Sequence, residues 1–470
     1  MQMLGLGLDF RGKPLFKPIE GATFEQALID ALPRNADHVR TATKTTSQAT
    51  MFRGEIKKRL ADPGDPVAAG WSFLVGAKDP LRHDIESIIE PLARHRGMQD
   101  PHSPLVFNEE LPEEWFEWVT DNYYGLELAG KKVPHYIFIV GGPENVPFHF
   151  QSLLDTVANV GRAAFDSPDD LRKYVEKLLR LENASDPVVT REAYFFAPDG
   201  GADDPTHFSR KYMAQPLADH VEKDLKFTVQ SVLGDKATKT NLLTLLRGHT
   251  PALVYTASHG LGALSEPLDT QKQYNGAICC QHEGNLSLDS LFSADDVPAN
   301  EPFLEGAVFF QFACFGYGTP AESDFSHWLS GVPSIYASSD FVARLPKRLL
   351  AHPRGPIAFV GHLDSAFLHG FTDPEAPEIL ERWHNRIQPF VKAVDELLAI
   401  EPSGLAMEDM GQRYSIYNAV ITNTYDRDRR GKITWTPELR HKFADSWIAR
   451  SDAQNYMVFG DPAAHLRIRD

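Results

Sequence analysis

A histidine and a cysteine in this chain each follow an apolar run that resembles a buried strand. His259 follows residues 254–257, and Cys314 follows residues 308–312. A cysteine close to an imidazole can lose its proton and attack an amide carbonyl, which makes it a candidate nucleophile. If the two runs are neighbouring parallel strands, both side chains lie at the same edge of the sheet. The pattern therefore predicts a Cys–His pair that performs acyl transfer.

Glycine residues beside this pair point to the same chemistry. Gly260 directly follows the histidine, and Gly316 and Gly318 follow the cysteine. A residue without Cβ lets the backbone approach a substrate carbonyl, so we expect the amides of Gly260 and Cys314 to form an oxyanion hole. This scheme needs no metal and no cofactor. The alternative is that Cys314 is inert packing, because cysteine is among the residues most often buried.

Short apolar strands alternate with amphipathic helices over most of the chain. This pattern predicts a mostly parallel sheet that is covered on both faces, and hence an α/β fold with two sheet-containing subdomains. We predict strands at 71–76, 135–140, 193–197, 226–232, 252–256, 307–312, 333–337 and 356–360. We predict helices at 81–94, 168–181, 208–225 and 239–247. The second of these has an N-cap signal, since Ser167 precedes Pro168 at the first helical position.

The same alternation indicates three segments. Residues 1–65 form an N-terminal extension of unknown role, with a Thr-rich stretch at 41–46 and a basic, helix-like piece at 53–59. Residues 66–186 form a first α/β subdomain, and residues 187–470 form the subdomain that carries the candidate pair.

The charge balance of the chain limits its partners. The 470 residues include 47 basic and 64 acidic side chains, for a formal net charge of −17. Such a chain repels phosphate backbones and anionic lipids, so we predict no nucleic acid and no membrane as a partner. No apolar stretch reaches the roughly 18 residues that span a bilayer, and no signal peptide pattern is present. With only Cys279, Cys280 and Cys314 as cysteines, these features predict a cytoplasmic protein without a disulfide framework.

Other catalytic motifs are missing from the sequence. It contains no GxSxG, GxxxxGK[ST] or HExxH, which disfavours a lipase-type hydrolase, a P-loop and a zincin. Pro353 and an apolar strand interrupt the only plausible group of ligands, so we predict no metal site. That group comprises His352, His362, His369 and Asp364.

The order of these blocks resembles the cysteine peptidases of the caspase-like group, most closely the gingipain-type family and its bacterial caspase-like relatives. The hallmark of that group is a strand that ends in His-Gly, followed by a strand that ends in Ala-Cys or Ser-Cys. Here these are His259-Gly260 and Ala313-Cys314. Further blocks that look like those of the family lie at 136–147, 160–162, 355–362 and 456–462, so the resemblance spans roughly residues 70–470.

The resemblance implies a caspase-like fold and a cysteine endopeptidase with a protein or peptide substrate. His259 would be the general acid/base, Cys314 the nucleophile, and the Gly260 and Cys314 amides the oxyanion hole. Gingipains carry a signal peptide and a pro-segment that this sequence does not show, so we expect an intracellular, regulated peptidase with a regulatory partner protein. The alternative is a catalytically inactive, caspase-like binding or scaffold protein. A third option is transfer of the acyl group to an amine.

The sequence leaves the substrate preference open. Asp199, Asp203 and Asp204 follow a predicted strand and could bind an arginine of the substrate. Arg344 or Arg348 could instead bind an acidic residue. The group that orients the imidazole is also open, with Asp199, Glu192 and a backbone carbonyl as candidates. The length of the stretch 262–303 suits a mobile lid or a processing loop, and the alternative is a surface loop with a small hairpin.

Overall fold

Ten strands form one sheet, and the candidate pair follows two of its neighbouring strands. The computed structural model describes residues 2–3, 5–31, 62–109, 111–282, 285–325, 335–371 and 380–469. In chain order the strands are β1 (Gln2–Met3), β2 (Gly7–Leu8), β3 (Ile19–Glu20), β4 (Trp71–Gly76), β5 (Leu105–Phe107), β6 (Tyr136–Val140), β7 (Asn159–Ala163), β8 (Thr190–Ala197), β9 (Thr228–Leu233), β10 (Pro251–Ala257), β11 (Gly260–Leu261), β12 (Ile278–Cys279), β13 (Leu291–Phe292), β14 (Val308–Phe312), β15 (Gly318–Thr319), β16 (Phe341–Val342), β17 (Ala358–His362) and β18 (Tyr456–Phe459).

The large sheet has the order β5-β4-β6-β7-β18-β17-β14-β10-β8-β9. Its strands are parallel except at β18, which pairs parallel with β7 and antiparallel with β17. The predicted α/β fold with a mostly parallel sheet is therefore confirmed. The strands of the first predicted subdomain and those of the second form the two halves of this sheet, and β18 joins them edge to edge.

Helices accompany the strands along the chain. The longer ones are Gly21–Ala31, Arg82–His95, Phe148–Leu154, Pro168–Glu182, Gln215–Lys223, Lys239–Leu246, Leu268–Tyr274, Arg344–Ala351, Leu380–Leu398, Glu408–Arg429 and Pro437–Asn455. Single-turn helices lie at Pro66–Ala69, Trp115–Trp118, Gly125–Leu128, Pro205–Ser209 and Ser403–Ala406. Every residue of β10 and β14 is buried, and since successive side chains of a strand point to opposite faces, both faces of the sheet are covered at its centre.

Local signals placed several elements correctly. The side chain of Ser167 accepts a hydrogen bond from the Asp170 amide at 3.2 Å, and Pro168 is the first residue of the helix that follows. Between the central strands, the rings of Tyr255 and Phe310 stack with centroids 5.0 Å apart. The predicted helix cap and the predicted packing of apolar side chains between the central strands are therefore both present.

The structure differs from the predicted elements in three places. The predicted strand at 333–337 is absent from its described part, where Ile335 makes only an isolated antiparallel bridge with Glu322 and the amides of Tyr336 and Ala337 both donate to the Ala321 carbonyl. The helix predicted at 208–225 is part of a continuous α- and π-helical run over 205–223. The helices Leu380–Leu398, Glu408–Arg429 and Pro437–Asn455 were not predicted. The predictions at 41–46 and 53–59 lie outside the described residues.

A buried ion cluster ties the C-terminal Gly-Asp-Pro block to the first half of the sheet. Arg96 Nε donates to Asp461 Oδ2 at 2.8 Å, and Arg96 Nη1 donates to Glu182 Oε2 at 2.6 Å. The indole of Trp71 donates to the other Asp461 oxygen at 2.8 Å. Burial disfavours the charge of Glu182, but Arg96 and His95 outweigh it and lower the pKa of Glu182 to about 2. Asp461 is therefore a structural residue.

Breaking this cluster is expected to cost much of the chain's stability. Arg96→Met leaves two buried carboxylates without their cation, which typically lowers the free energy of unfolding by about 3–5 kcal/mol. Urea denaturation at pH 7 measures this loss. Arg94→Met is the matched control, since Arg94 pairs with Glu90 on the exposed side of the same helix and should change little. Equal midpoints for the two variants would contradict the assignment.

Within the described residues, no helix is long and apolar enough to cross a bilayer.

Candidate active site

The two candidate residues leave the sheet side by side. β10 and β14 are parallel neighbours, and Ala257 pairs with Phe312 at their carboxyl ends. His259 and Cys314 each lie two residues beyond this pair, at the same sheet edge. Gly260 must be glycine for a local reason, since a Cβ on it would lie 1.9 Å from the Cys314 carbonyl oxygen. The backbones of Gly260 and Cys314 are therefore in direct contact.

A carboxylate holds the imidazole. His259 Nε2 lies 2.9 Å from Asp204 Oδ1 and 3.0 Å from Oδ2. Since a carboxylate only accepts, Nε2 carries a hydrogen, and neutral His259 then has its lone pair on Nδ1. Nδ1 is buried and has no hydrogen-bond partner among the described residues. The geometry therefore leaves one imidazole nitrogen able to take a proton.

Asp204 is itself fixed by the chain that follows it. It caps the helix Pro205–Ser209 by accepting a hydrogen bond from the Thr206 amide at 2.8 Å. Burial raises the pKa of Asp204, but the hydrogen bonds and charge of His259 and the bonds from Thr206 outweigh it and lower that pKa to about 2. Asp204 is therefore an anion at neutral pH, held in one orientation.

The thiol of Cys314 is fully buried and bonds to backbone. Its Sγ accepts from the Ala366 amide at 3.1 Å and lies 3.6 Å from the Ala366 carbonyl oxygen. Burial raises the pKa of Cys314 to about 12, and the hydrogen bond from the Ala366 amide offsets this only in part. This is opposite to the depressed thiol pKa that the sequence led us to expect. The reason is that this structure seals the sulfur from water.

The other carboxylates predicted to contact substrate lie on the loop before Pro205. Asp199 accepts from Arg210 Nε at 2.7 Å and lies 3.1 Å from His207 Nδ1, so it already has cationic and imidazole partners. Asp203 is exposed on the same loop. Asp204, which sequence reasoning assigned to the substrate, instead contacts His259. Its only sequence signal was an Asp-Pro helix start.

The remaining candidates lie apart from the imidazole. Glu192 accepts from the Tyr194 hydroxyl at 2.7 Å, within β8. Arg344 lies 3.2 Å from Asp295. Arg348 Nη2 lies 3.5 Å from the Val297 carbonyl.

The stretch between the two candidate strands forms a small second sheet. β13, β12 and β11 pair in that order, and β2 from the N-terminal extension is added beyond β11. The amide of Cys279 donates to the His259 carbonyl at 3.1 Å, and both Cys279 and Cys280 are buried free thiols. Most of the described part of 262–303 therefore packs against the rest of the protein. This arrangement is the one expected for a loop that contains a small hairpin. In the described part of the chain, no three His, Cys, Asp or Glu side chains are grouped to hold a metal ion.

Comparisons with known proteins give structural matches at low sequence identity. No family model and no curated protein matches the sequence. The complex of the pro- and mature domains of Porphyromonas gingivalis RgpB is 13% identical, with a TM-score of 0.45 over 85% of this chain and 80% of that one. The Arg-specific cysteine proteinase gingipain R is 14% identical, with a TM-score of 0.44 over 85% and 78%. The Saccharomyces cerevisiae separase–securin complex is 11% identical, with a TM-score of 0.35 over 91% and 22%.

Proposed function

We propose that this chain is a cysteine endopeptidase with Cys314 as nucleophile and His259 as general acid/base. The observation that carries the proposal is an imidazole at the strand end next to that of Cys314, held by Asp204 at 2.9 Å, with a buried Nδ1 that has no hydrogen-bond partner among the described residues. Here one nitrogen is oriented and the other is left as a base, as proton transfer requires.

The reaction follows from these atoms. The Cys314 thiol gives its proton to His259 Nδ1 while sulfur bonds to the peptide carbonyl carbon. The C–N bond then breaks, the leaving amine takes the proton from the imidazolium, and a thioester remains. Water attacks the thioester with His259 as base, which releases the acid and restores the thiol. The Gly260 and Cys314 amides, whose backbones touch, would donate to the oxyanion in both steps.

The finer points of the proposal concern setting and substrate. We place the enzyme in the cytoplasm as a regulated peptidase of proteins or peptides, without cofactor. Since Asp199 and Asp204 already bind other side chains, Asp203 is the loop carboxylate we propose for a basic residue of the substrate. Its exposure favours a weak preference rather than strict selectivity.

The burial of Cys314 favours a second function, a catalytically inactive binding or scaffold protein. In that case the sulfur is only part of the core, in line with its fully buried position and its bonds to Ala366.

A mixed peptide library separates these two functions. The full-length protein should cleave a subset of the peptides, and an electrophilic peptide probe should modify Cys314 in tryptic maps. The same assay with an added amine tests for transfer, since aminolysis products would then accumulate. Absence of cleavage and labelling, in both the wild-type chain and the Leu6→Asp variant described below, would favour the scaffold.

A further inference from the structure

The groove beside Cys314 is filled by the chain's own N-terminal residues. β2 pairs in parallel with β11, which begins directly after His259. On the other side, the Leu6 amide donates to the Ala366 carbonyl at 2.8 Å, and Ala366 is the residue that bonds the thiol. Residues 5–8 therefore run between the segment that follows the histidine and the segment that holds the cysteine.

The Leu6–Gly7 peptide lies where a scissile bond would be bound. The amide of Gly260, the predicted oxyanion donor, donates to the Leu6 carbonyl oxygen at 3.0 Å. Gly7 lies against the sulfur, since a Cβ on it would be 3.4 Å from Cys314 Sγ. The same Cβ would lie 2.6 Å from Leu15 Cδ1, so Leu15 would have to shift to admit a side chain here. A carbonyl of this chain thus already binds the donor that a substrate carbonyl needs.

Aromatic contacts hold the residues that follow against the body of the protein. The rings of Phe16 and Phe367 have centroids 6.0 Å apart, and those of Phe24 and Trp447 are 5.9 Å apart. Leu28 is also fully buried. Because the segment is covalently attached and anchored at these points, its effective concentration at the groove is high.

We propose that residues 5–8 are a built-in peptide that fills the substrate groove and blocks Cys314 until it is displaced. The proposal rests on the proposed function, since it identifies the groove by its nucleophile. The groove accordingly takes an extended apolar peptide that adds as a strand along β11, with a small residue after the scissile bond, as at Gly7. The Leu6–Gly7 bond is held without being attacked because the sulfur bonds to Ala366 instead of the imidazole.

Site-resolved alkylation of the full-length chain tests this inference. Leu6→Asp places a charge at a fully buried position and should release the segment. Iodoacetamide at pH 7 should then modify Cys314 at least about tenfold faster than in the wild type, because an exposed thiol ionises far more readily. Buried Cys280 is the internal reference and should stay protected. Leu128→Asp, at a 92% exposed position, is the matched control and should react like the wild type.

Two further measurements keep the result decisive. If Leu6→Asp exposes Cys314 and Cys280 together, Gly7→Leu replaces it, since a bulky side chain whose Cβ already meets both Leu15 and the Cys314 sulfur cannot be accommodated by a shift of Leu15 alone. A peptide of residues 5–16 should protect Cys314 in the variant, whereas a scrambled peptide should not. The inference is overturned if wild-type Cys314 reacts as fast as the variants, or if both variants leave Cys314 as protected as Cys280.

The alkylation result is independent of peptidase activity. A released Cys314 that alkylates but never cleaves peptides would reject the proposed function and keep the covering segment. A wild-type chain that cleaves peptides and alkylates rapidly would keep the function and reject the covering segment.

Discussion

Cys314→Ala is expected to abolish peptide cleavage, with a loss of at least about 10⁴-fold in kcat/KM, since the proposed thioester forms on the sulfur that this substitution removes. The assay uses a peptide found by library profiling, in the wild-type chain and in the Leu6→Asp background. Labelling by the electrophilic probe should disappear in parallel. The substitution removes one buried sulfur, so near-native unfolding midpoints are expected.

Cys279→Ala is the matched control for this change. Cys279 is also a buried free thiol, and it lies one strand away on β12. It should keep nearly full activity, because its sulfur has no role in the proposed reaction. Cleavage that survives in Cys314→Ala, or that is lost equally in Cys279→Ala, would refute Cys314 as the nucleophile.

Replacement of His259 by alanine should lower kcat by at least about 10³-fold, because it removes the base that is proposed to take the thiol proton. KM should change much less, since substrate binding relies on the groove. The control is His220→Ala, which removes another histidine–carboxylate pair, with Asp395 at 2.6 Å, that has no role in the proposed reaction. Full activity in His259→Ala would exclude it as the base.

Asp204→Asn separates orientation of the imidazole from capping of the helix. Asparagine caps helices as well as aspartate, so the helix Pro205–Ser209 should persist. An amide can donate to Nε2 and so favour the tautomer with its hydrogen on Nδ1, and we expect kcat to fall by about 10²–10⁴-fold. Asp204→Glu should recover part of this loss, which a purely structural role would not predict.

The same carboxylate predicts an acid limit of stability. The pKa of Asp204 is about 2 in the folded chain, below the ordinary value of about 3.9 for aspartate. A depressed folded pKa stabilises the fold above the ordinary value, and this contribution is lost as the pH falls from about 4 toward 2. Asp204→Asn should therefore flatten the stability profile in that interval.

Local patterns anticipated much of the sheet. Continuously apolar runs placed β4, β6, β10 and β14 to within one or two residues, because a strand buried on both faces has no polar alternation. The long helix Glu408–Arg429 escaped prediction because its buried face includes polar and hydroxyl-bearing side chains such as Tyr414, Asn418 and Tyr425, which weaken the apolar pattern. The position of β18 between the two halves also gave no local signal, because it depends on pairing with strands nearly 100 and 300 residues away.

The sequence by itself determined that His259 and Cys314 each follow the end of a buried strand, because apolar runs that stop at glycine and polar residues mark strand ends locally. Only the tertiary structure decided that Asp204 holds the imidazole and that residues 5–8 cover the sulfur. Both contacts join segments 55 or more residues apart through a few hydrogen bonds. Such bonds leave no periodicity in the sequence, since any carboxylate or extended backbone of suitable reach could make them, and packing of the whole chain selects which one does.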